Sequence, residues 1–144
     1  MISTLRYLAI LLLIICSAFF SASEIAFSAV NILRLKNLNK ERPTVGRTLA
    51  IKIYEDYENT LSSILIGNNI VNIVMTTIAG LMFAILITSN ATLAEFVSTA
   101  VTTVIVLTFG EITPKMIAKT VPEKFASFAS YPISFFIILL YPLN

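Results

Sequence analysis

The 144-residue sequence reads as an all-α integral membrane domain with three transmembrane helices and further juxtamembrane helices. Three observations lead there. Hydrophobic residues make up 57% of the chain and charged residues 12%, against about 25% charged in soluble globular domains. The mean hydropathy is +0.89. Nine of the ten basic residues lie in two segments, 31–60 and 115–124, set between long apolar runs. The composition also excludes function classes. A single Cys allows no internal disulfide, and the absence of His removes histidine-based triads, His-ligated zinc or haem and a histidine pH switch. A net charge of +2 is too small to point to nucleic acid, and no CxxC, GxGxxG or P-loop motif occurs.

Residues 7–30 form the first span, with Glu24 as its only charge. At about 1.5 Å per residue it is long enough for a hydrocarbon core of roughly 30 Å. Residues 61–88 form an uncharged second span, and 94–114 a third. Between the first two, Asn37, Asn39, Pro43 and Gly46 interrupt a juxtamembrane helical region over about 36–57, whose part from Thr44 to Tyr57 is modestly amphipathic. A last helical region over about 118–144 contains the 16-residue apolar run 125–140, punctuated by Pro122, Pro132 and Pro142, and is expected to lie along the membrane surface. The positive-inside rule puts both basic segments in the cytoplasm, the N-terminus outside and the C-terminus in the cytoplasm. The expected location is a cell membrane, crossed several times. Cleavage of the first span as a signal peptide near Ser21-Ala22-Ser23 would leave the basic 31–60 segment outside, against that rule. Asn90-Ala91-Thr92 matches a glycosylation acceptor but sits in a very short loop. The chain stops at Tyr141-Pro142-Leu143-Asn144 with no polar tail, so it is expected to be the membrane part of a longer protein.

Polar groups are costly in a membrane helix, so those present are candidates for function. Ser17, Ser21, Glu24 and Ser28 follow steps of four, three and four, one helical face. The second span carries Asn68, Asn69 and Asn72, with Asn68 and Asn72 on one face, and Gly67 allows a close helix approach. The third ends in Gly110-Glu111-Ile112-Thr113-Pro114-Lys115. Pro114 has no N–H for the Gly110 carbonyl four residues back, so that carbonyl needs another partner inside the bilayer. Glu111 adds a carboxylate beside it. Ser21, Ser23, Glu24, Asn68 and Asn72 add further oxygens, a donor set suited to hard cations such as Mg²⁺, Ca²⁺ or Na⁺. The competing reading is structural. Ser and Asn often bond neighbouring membrane helices, Glu111 can pair with Lys115 four residues on, and Glu24 can pair with a cytoplasmic-side lysine. No nucleophile is paired with a base, so no enzyme and no catalytic residue is expected.

These same residues carry a family resemblance. Phe19-Phe20-Ser21-Ala22-Ser23-Glu24-Ile25-Ala26 resembles the FFSxSExA motif in the first helix of the cyclin M/CorB/CorC magnesium transporter family. Gly67-Asn68-Asn69-Ile70-Val71-Asn72 resembles the GNxxVN motif of its second helix, and Phe109-Gly110-Glu111-Ile112-Thr113-Pro114-Lys115 the GExxPK motif of its third. The resemblance covers essentially the whole chain. It implies a homodimer in the lipid bilayer that moves Mg²⁺, in the direction of efflux and with Na⁺ as a candidate coupling ion. By motif match, Ser21, Ser23, Asn68, Asn72, Gly110 and Glu111 fall at the ion site; Glu24, Asn69, Pro114 and Lys115 fall in supporting or gating positions. The family usually continues into a paired CBS module that binds nucleotide, and that module is absent from this chain. Two rival readings stand beside transport: a membrane Mg²⁺ sensor or regulatory scaffold that binds without moving the ion, and a structural anchor that binds none.

Overall fold

A computed structural model describes residues 2–87 and 90–140. Among these residues the chain is helical, with no strand. The elements are α1 (Ile2–Ala29), α2 (Ile32–Glu41), α3 (Val45–Glu55), α4 (Tyr57–Leu86), α5 (Ala91–Ile105), a π-helical stretch (Val106–Ile112), α6 (Thr113–Thr120) and α7 (Pro122–Leu140). Three continuous helical segments are long and apolar enough to cross a membrane: Thr4–Ala29, Tyr57–Leu86 and Ala91–Thr120. Thr88, at the end of the expected second span, and residues 141–144 of the expected last surface helix lie outside the described residues.

Two boundaries differ from the sequence expectation for a clear local reason. The third segment does not stop at Pro114. The Thr113 N–H bonds to the Thr108 carbonyl, five residues back, so the chain reaches Pro114 in a widened turn and continues helically past it. A proline in the first turn of a helix costs little, because its N–H would lack an intrahelical partner anyway. In the juxtamembrane region the expected interruption separates α2 from α3, but α3 ends at Glu55 and Tyr57 is already in α4. Asn31 Oδ1 accepts from the Arg34 N–H and starts α2, while Thr44 Oγ1 accepts from the Arg47 N–H and starts α3. Pro43 sits in the break, and Asn39 Oδ1 accepts from the Thr44 N–H across it. Asn90 does similar work before α5: its side chain accepts from the Leu93 N–H at 3.1 Å.

The packed core lies at the end of the bundle that carries the basic segments. Phe20, Ala22, Ala26, Phe27, Leu35, Ala50, Ile64, Ala118, Ala126, Ala129 and Ile133 are all buried there. Small residues dominate because lipid tails are as apolar as leucine, so close backbone approach has to hold the helices together. Gly46 shows the tightest case. A Cβ there would lie 2.6 Å from the Ser127 carbonyl, and Ser130 Oγ donates to the Gly46 carbonyl at 3.0 Å. α7 is thereby clamped along α3, and it also packs on α1 and α4. Away from this end the helices are outwardly apolar: Leu5, Leu8, Leu12, Ile73, Leu81, Ile85, Phe96 and Val104 are exposed, as suits a hydrocarbon solvent.

Candidate cation site

The first sequence motif packs against each of the other two. Phe20 of α1 lies against Gly67 of α4, where a Cβ would sit 2.7 Å from the ring. The same ring meets Phe136 of α7 edge-on, with centroids 4.9 Å apart. One turn before Phe20, fully buried Ser17 meets the other two motifs. Its hydroxyl donates to Asn68 Oδ1 at 3.2 Å and to Asn72 Oδ1 at 2.9 Å. A Cβ on Gly110 would lie 3.0 Å from Ser17 Oγ, so glycine is what lets the π-helical stretch come this close to α1.

This arrangement is rich in oxygen and poor in protons. Two amide oxygens converge on one hydroxyl, which has a single hydrogen to share between them. Ser21, one turn along the same face of α1, is fully buried and its hydroxyl has no hydrogen-bond partner among the described residues. An unmet buried polar group costs about 1–3 kcal/mol, so such a site favours a further polar or ionic occupant. Glu111 follows Gly110, is half-buried, and forms no ion pair or hydrogen bond among the described residues. Lys115 instead reaches across to Glu24 of α1, Nζ to Oε2 3.0 Å. Pro114 would have served Phe109 in the π register and Gly110 in the α register, so its missing N–H falls on that pair of carbonyls. The donors available are thus neutral oxygens plus one unpaired carboxylate. Among the described residues no group of three or more His, Cys, Asp or Glu side chains could hold a metal. The set fits Mg²⁺, which is commonly held by one or two carboxylates and keeps part of its water.

Not every predicted residue joins. Ser23 is buried, but its hydroxyl donates to the Phe19 carbonyl of its own helix at 2.7 Å. Two residues from Ser21, it lies about 200° around the helix. Asn69 is exposed, turned away from its neighbour Asn68. Pro114 lines an apolar cavity of about 280 Å³ with Ala18 and Ala22. Ser17, conversely, belongs to the polar stripe of α1 but lies outside the matched motif, and only the packing shows it as the meeting point.

The model for the cyclin M transmembrane N-terminal domain matches residues 8–144. The chain belongs to the cyclin M family. Curated relatives of this cyclin M domain include a UPF0053 protein of Haemophilus influenzae, 36% identical over 136 residues, covering 92% of this chain and 31% of that protein. The UPF0053 inner membrane protein YfjD of Escherichia coli is 35% identical over 131 residues, covering 88% of this chain and 29% of its own length. A chloroplastic DUF21 domain-containing protein of Arabidopsis thaliana is 31% identical over 134 residues, covering 89% of this chain and 19% of that protein. The cyclin M domain thus spans less than a third of the length of these relatives.

Proposed function

We propose that this cyclin M domain binds Mg²⁺ among α1, α4 and the π-helical stretch and passes it across the membrane. The observation that carries the reading is the meeting of Asn68 Oδ1 and Asn72 Oδ1 on Ser17, with Gly110 packed against the same hydroxyl and the unpaired Glu111 beside it. In this mechanism Glu111 supplies charge and the Asn and Ser oxygens replace part of the hydration shell. Ser21 adds a hydroxyl, and a carbonyl freed at Pro114 completes the set. Release requires α1, α4 and α5 to separate on the far side, giving alternating access. The direction is efflux, with Na⁺ as the exchanged ion, and two copies act together in a cell membrane with the N-terminus outside. The name of the Escherichia coli relative, an inner membrane protein, supports that location.

The test is calorimetric Mg²⁺ binding to the purified protein, beside Glu111→Ala and Asn72→Ala, with folding checked by elution profile. Saturable binding lost in both variants supports the site. Binding unchanged in both removes it. Flux measured on the full-length protein in vesicles then separates transport from sensing, since a sensor binds and moves nothing.

A further inference from the structure

The half of the bundle away from the basic segments holds a second polar feature. Between α4 and α5 lies a cavity of about 510 Å³, lined among others by Thr76, Gly80, Glu95, Ser98, Thr102 and Thr103. It begins where the cation site ends. Thr76 is one turn beyond Asn72, and its hydroxyl donates to the Asn72 carbonyl at 2.9 Å. On the facing helix, Thr102 and Ser98 continue at four-residue steps the buried row that starts with Gly110 and Val106. The next step of the row is buried Ala94, and beside it stands exposed Glu95, the one charged residue lining the cavity.

The hydroxyls here are not explained by packing. Serine and threonine in membrane helices usually bond a carbonyl one turn back or a neighbouring helix. Thr76 and Thr77 of α4 do so, as does Ser134 of α7. Ser98 and Thr102 are 4% and 8% exposed, and neither hydroxyl makes a hydrogen bond among the described residues. Space is open as well: a Cβ on Gly80 would meet nothing within 4 Å. At about 30 Å³ per water, the cavity has room for on the order of ten waters. A neighbouring cavity between α1, α4 and α5, lined by Ile10, Ile14, Met75, Met82 and Val106 and sharing Thr102 with the first, is smaller, about 180 Å³, and almost wholly apolar.

We infer that the α4–α5 cavity is an aqueous vestibule for a hydrated divalent cation, with Glu95 as its attracting charge and Ser98 and Thr102 as its inner hydroxyl contacts. The inference rests on the transport reading, because it takes the ion leaving Asn72 and carries it outward. Mg²⁺ gives up its water reluctantly, so a wet, hydroxyl-lined route suits it better than an apolar one. A carboxylate at the mouth of a low-dielectric cleft raises the local cation concentration.

The experiment uses the full-length protein in vesicles, with Cys16→Ala and any cysteine outside this domain also replaced, and with Ser98→Cys and Thr102→Cys introduced singly. Each is treated with membrane-impermeant cationic and anionic thiol reagents of equal size. Both positions are expected to react, with the cationic reagent faster by about tenfold or more. Glu95→Gln is expected to remove that difference, and millimolar Mg²⁺ to slow the cationic reagent. Gly80→Leu, which enters open space, is expected to slow both reagents. Reaction only with an uncharged lipid-soluble reagent would assign the cavity to lipid and overturn the inference. So would a disulfide between two copies at Ser98→Cys with no reagent access, which would make the cavity a seam. Mg²⁺ flux with both positions unreachable overturns the vestibule and leaves the transport reading standing. Charge-selective labelling without flux does the reverse.

Discussion

Lys115 Nζ lies 3.0 Å from Glu24 Oε2, joining α6 to α1 and leaving Glu111, four residues before Lys115, without a cationic partner among the described residues. As a contribution to stability this partly exposed pair is worth little, about 1 kcal/mol or less. Its effect on the candidate site is larger, because a Glu–Lys spacing of four is favourable within one helix. Glu24 therefore holds Lys115 away from the carboxylate that an ion needs. Glu24→Gln should let Lys115 turn to Glu111 and weaken Mg²⁺ binding by about tenfold, equivalent to roughly 1.4 kcal/mol. The double variant Glu24→Gln with Lys115→Gln should restore most of it. Calorimetric titration of the four combinations checks this, and equal affinities throughout would show that the pair is only a strut.

Ser17 and Ser23 are both fully buried, and they should behave differently. Ser17→Ala removes the hydroxyl shared by Asn68 and Asn72. It is expected to lower Mg²⁺ affinity by about tenfold, roughly 1.4 kcal/mol. Ser23→Ala removes only a bond to the Phe19 carbonyl and should leave the affinity within about twofold, while lowering stability by about 1 kcal/mol. A parallel titration of the two variants decides it; a greater loss at Ser23 would contradict the geometry.

Gly110→Ala sets a methyl group 3.0 Å from Ser17 Oγ. Either the Ser17 side chain or the π-helical stretch must then give by a few tenths of an ångström, which disturbs the hydroxyl shared by Asn68 and Asn72. Mg²⁺ binding should fall at least as far as in Ser17→Ala, with a normal elution profile. The readout is binding and monodispersity on one sample.

Gly67→Ala places a methyl 2.7 Å from the Phe20 ring. Overpacking of this kind costs about 1–3 kcal/mol, read as a lower unfolding midpoint in detergent. Phe20→Leu in the same chain should return part of the loss, since it removes the colliding atoms. No recovery would mean that the collision is relieved by helix movement.

Gly46→Ala drives a methyl to 2.6 Å from the Ser127 carbonyl, where the obstacle is backbone and cannot rotate away. The α3–α7 clamp should loosen, destabilising the domain by about 1–3 kcal/mol. Ser130→Ala, losing only the hydrogen bond to the Gly46 carbonyl, should cost about 1 kcal/mol. Thermal melts of both order the two contributions.

The spans were legible because hydropathy over twenty or more residues depends on solvent alone, and a bilayer rewards it wherever the helices pack. The polar stripe on α1 was legible for a similar reason: helical periodicity puts Ser17, Ser21 and Glu24 on one face before any neighbour is known. Partners were not legible in this way. Sequence spacing offers Lys115 only Glu111, four residues back, and only the crossing of α6 over α1 selects Glu24. Ser23 shares a motif with Ser21, yet a motif is a string and a helix is a cylinder, so neighbours in one are opposed on the other. The break between α2 and α3 was legible from Asn39, Pro43 and Gly46, but the bonds that fix it, Thr44 N–H to Asn39 Oδ1 and Arg47 N–H to Thr44 Oγ1, were not.

The π-helical winding of Val106–Ile112 has one more consequence. Such winding carries an extra residue relative to an α-helix of the same rise. Returning that residue to α winding would rotate everything beyond it by about 100°, the azimuth of one residue. α6 would swivel as a unit, unclasping Lys115 from Glu24 and changing the bearing of Glu111. The stretch that holds the carboxylate is thus the place where a change of backbone register alone would reorient α6 against α1.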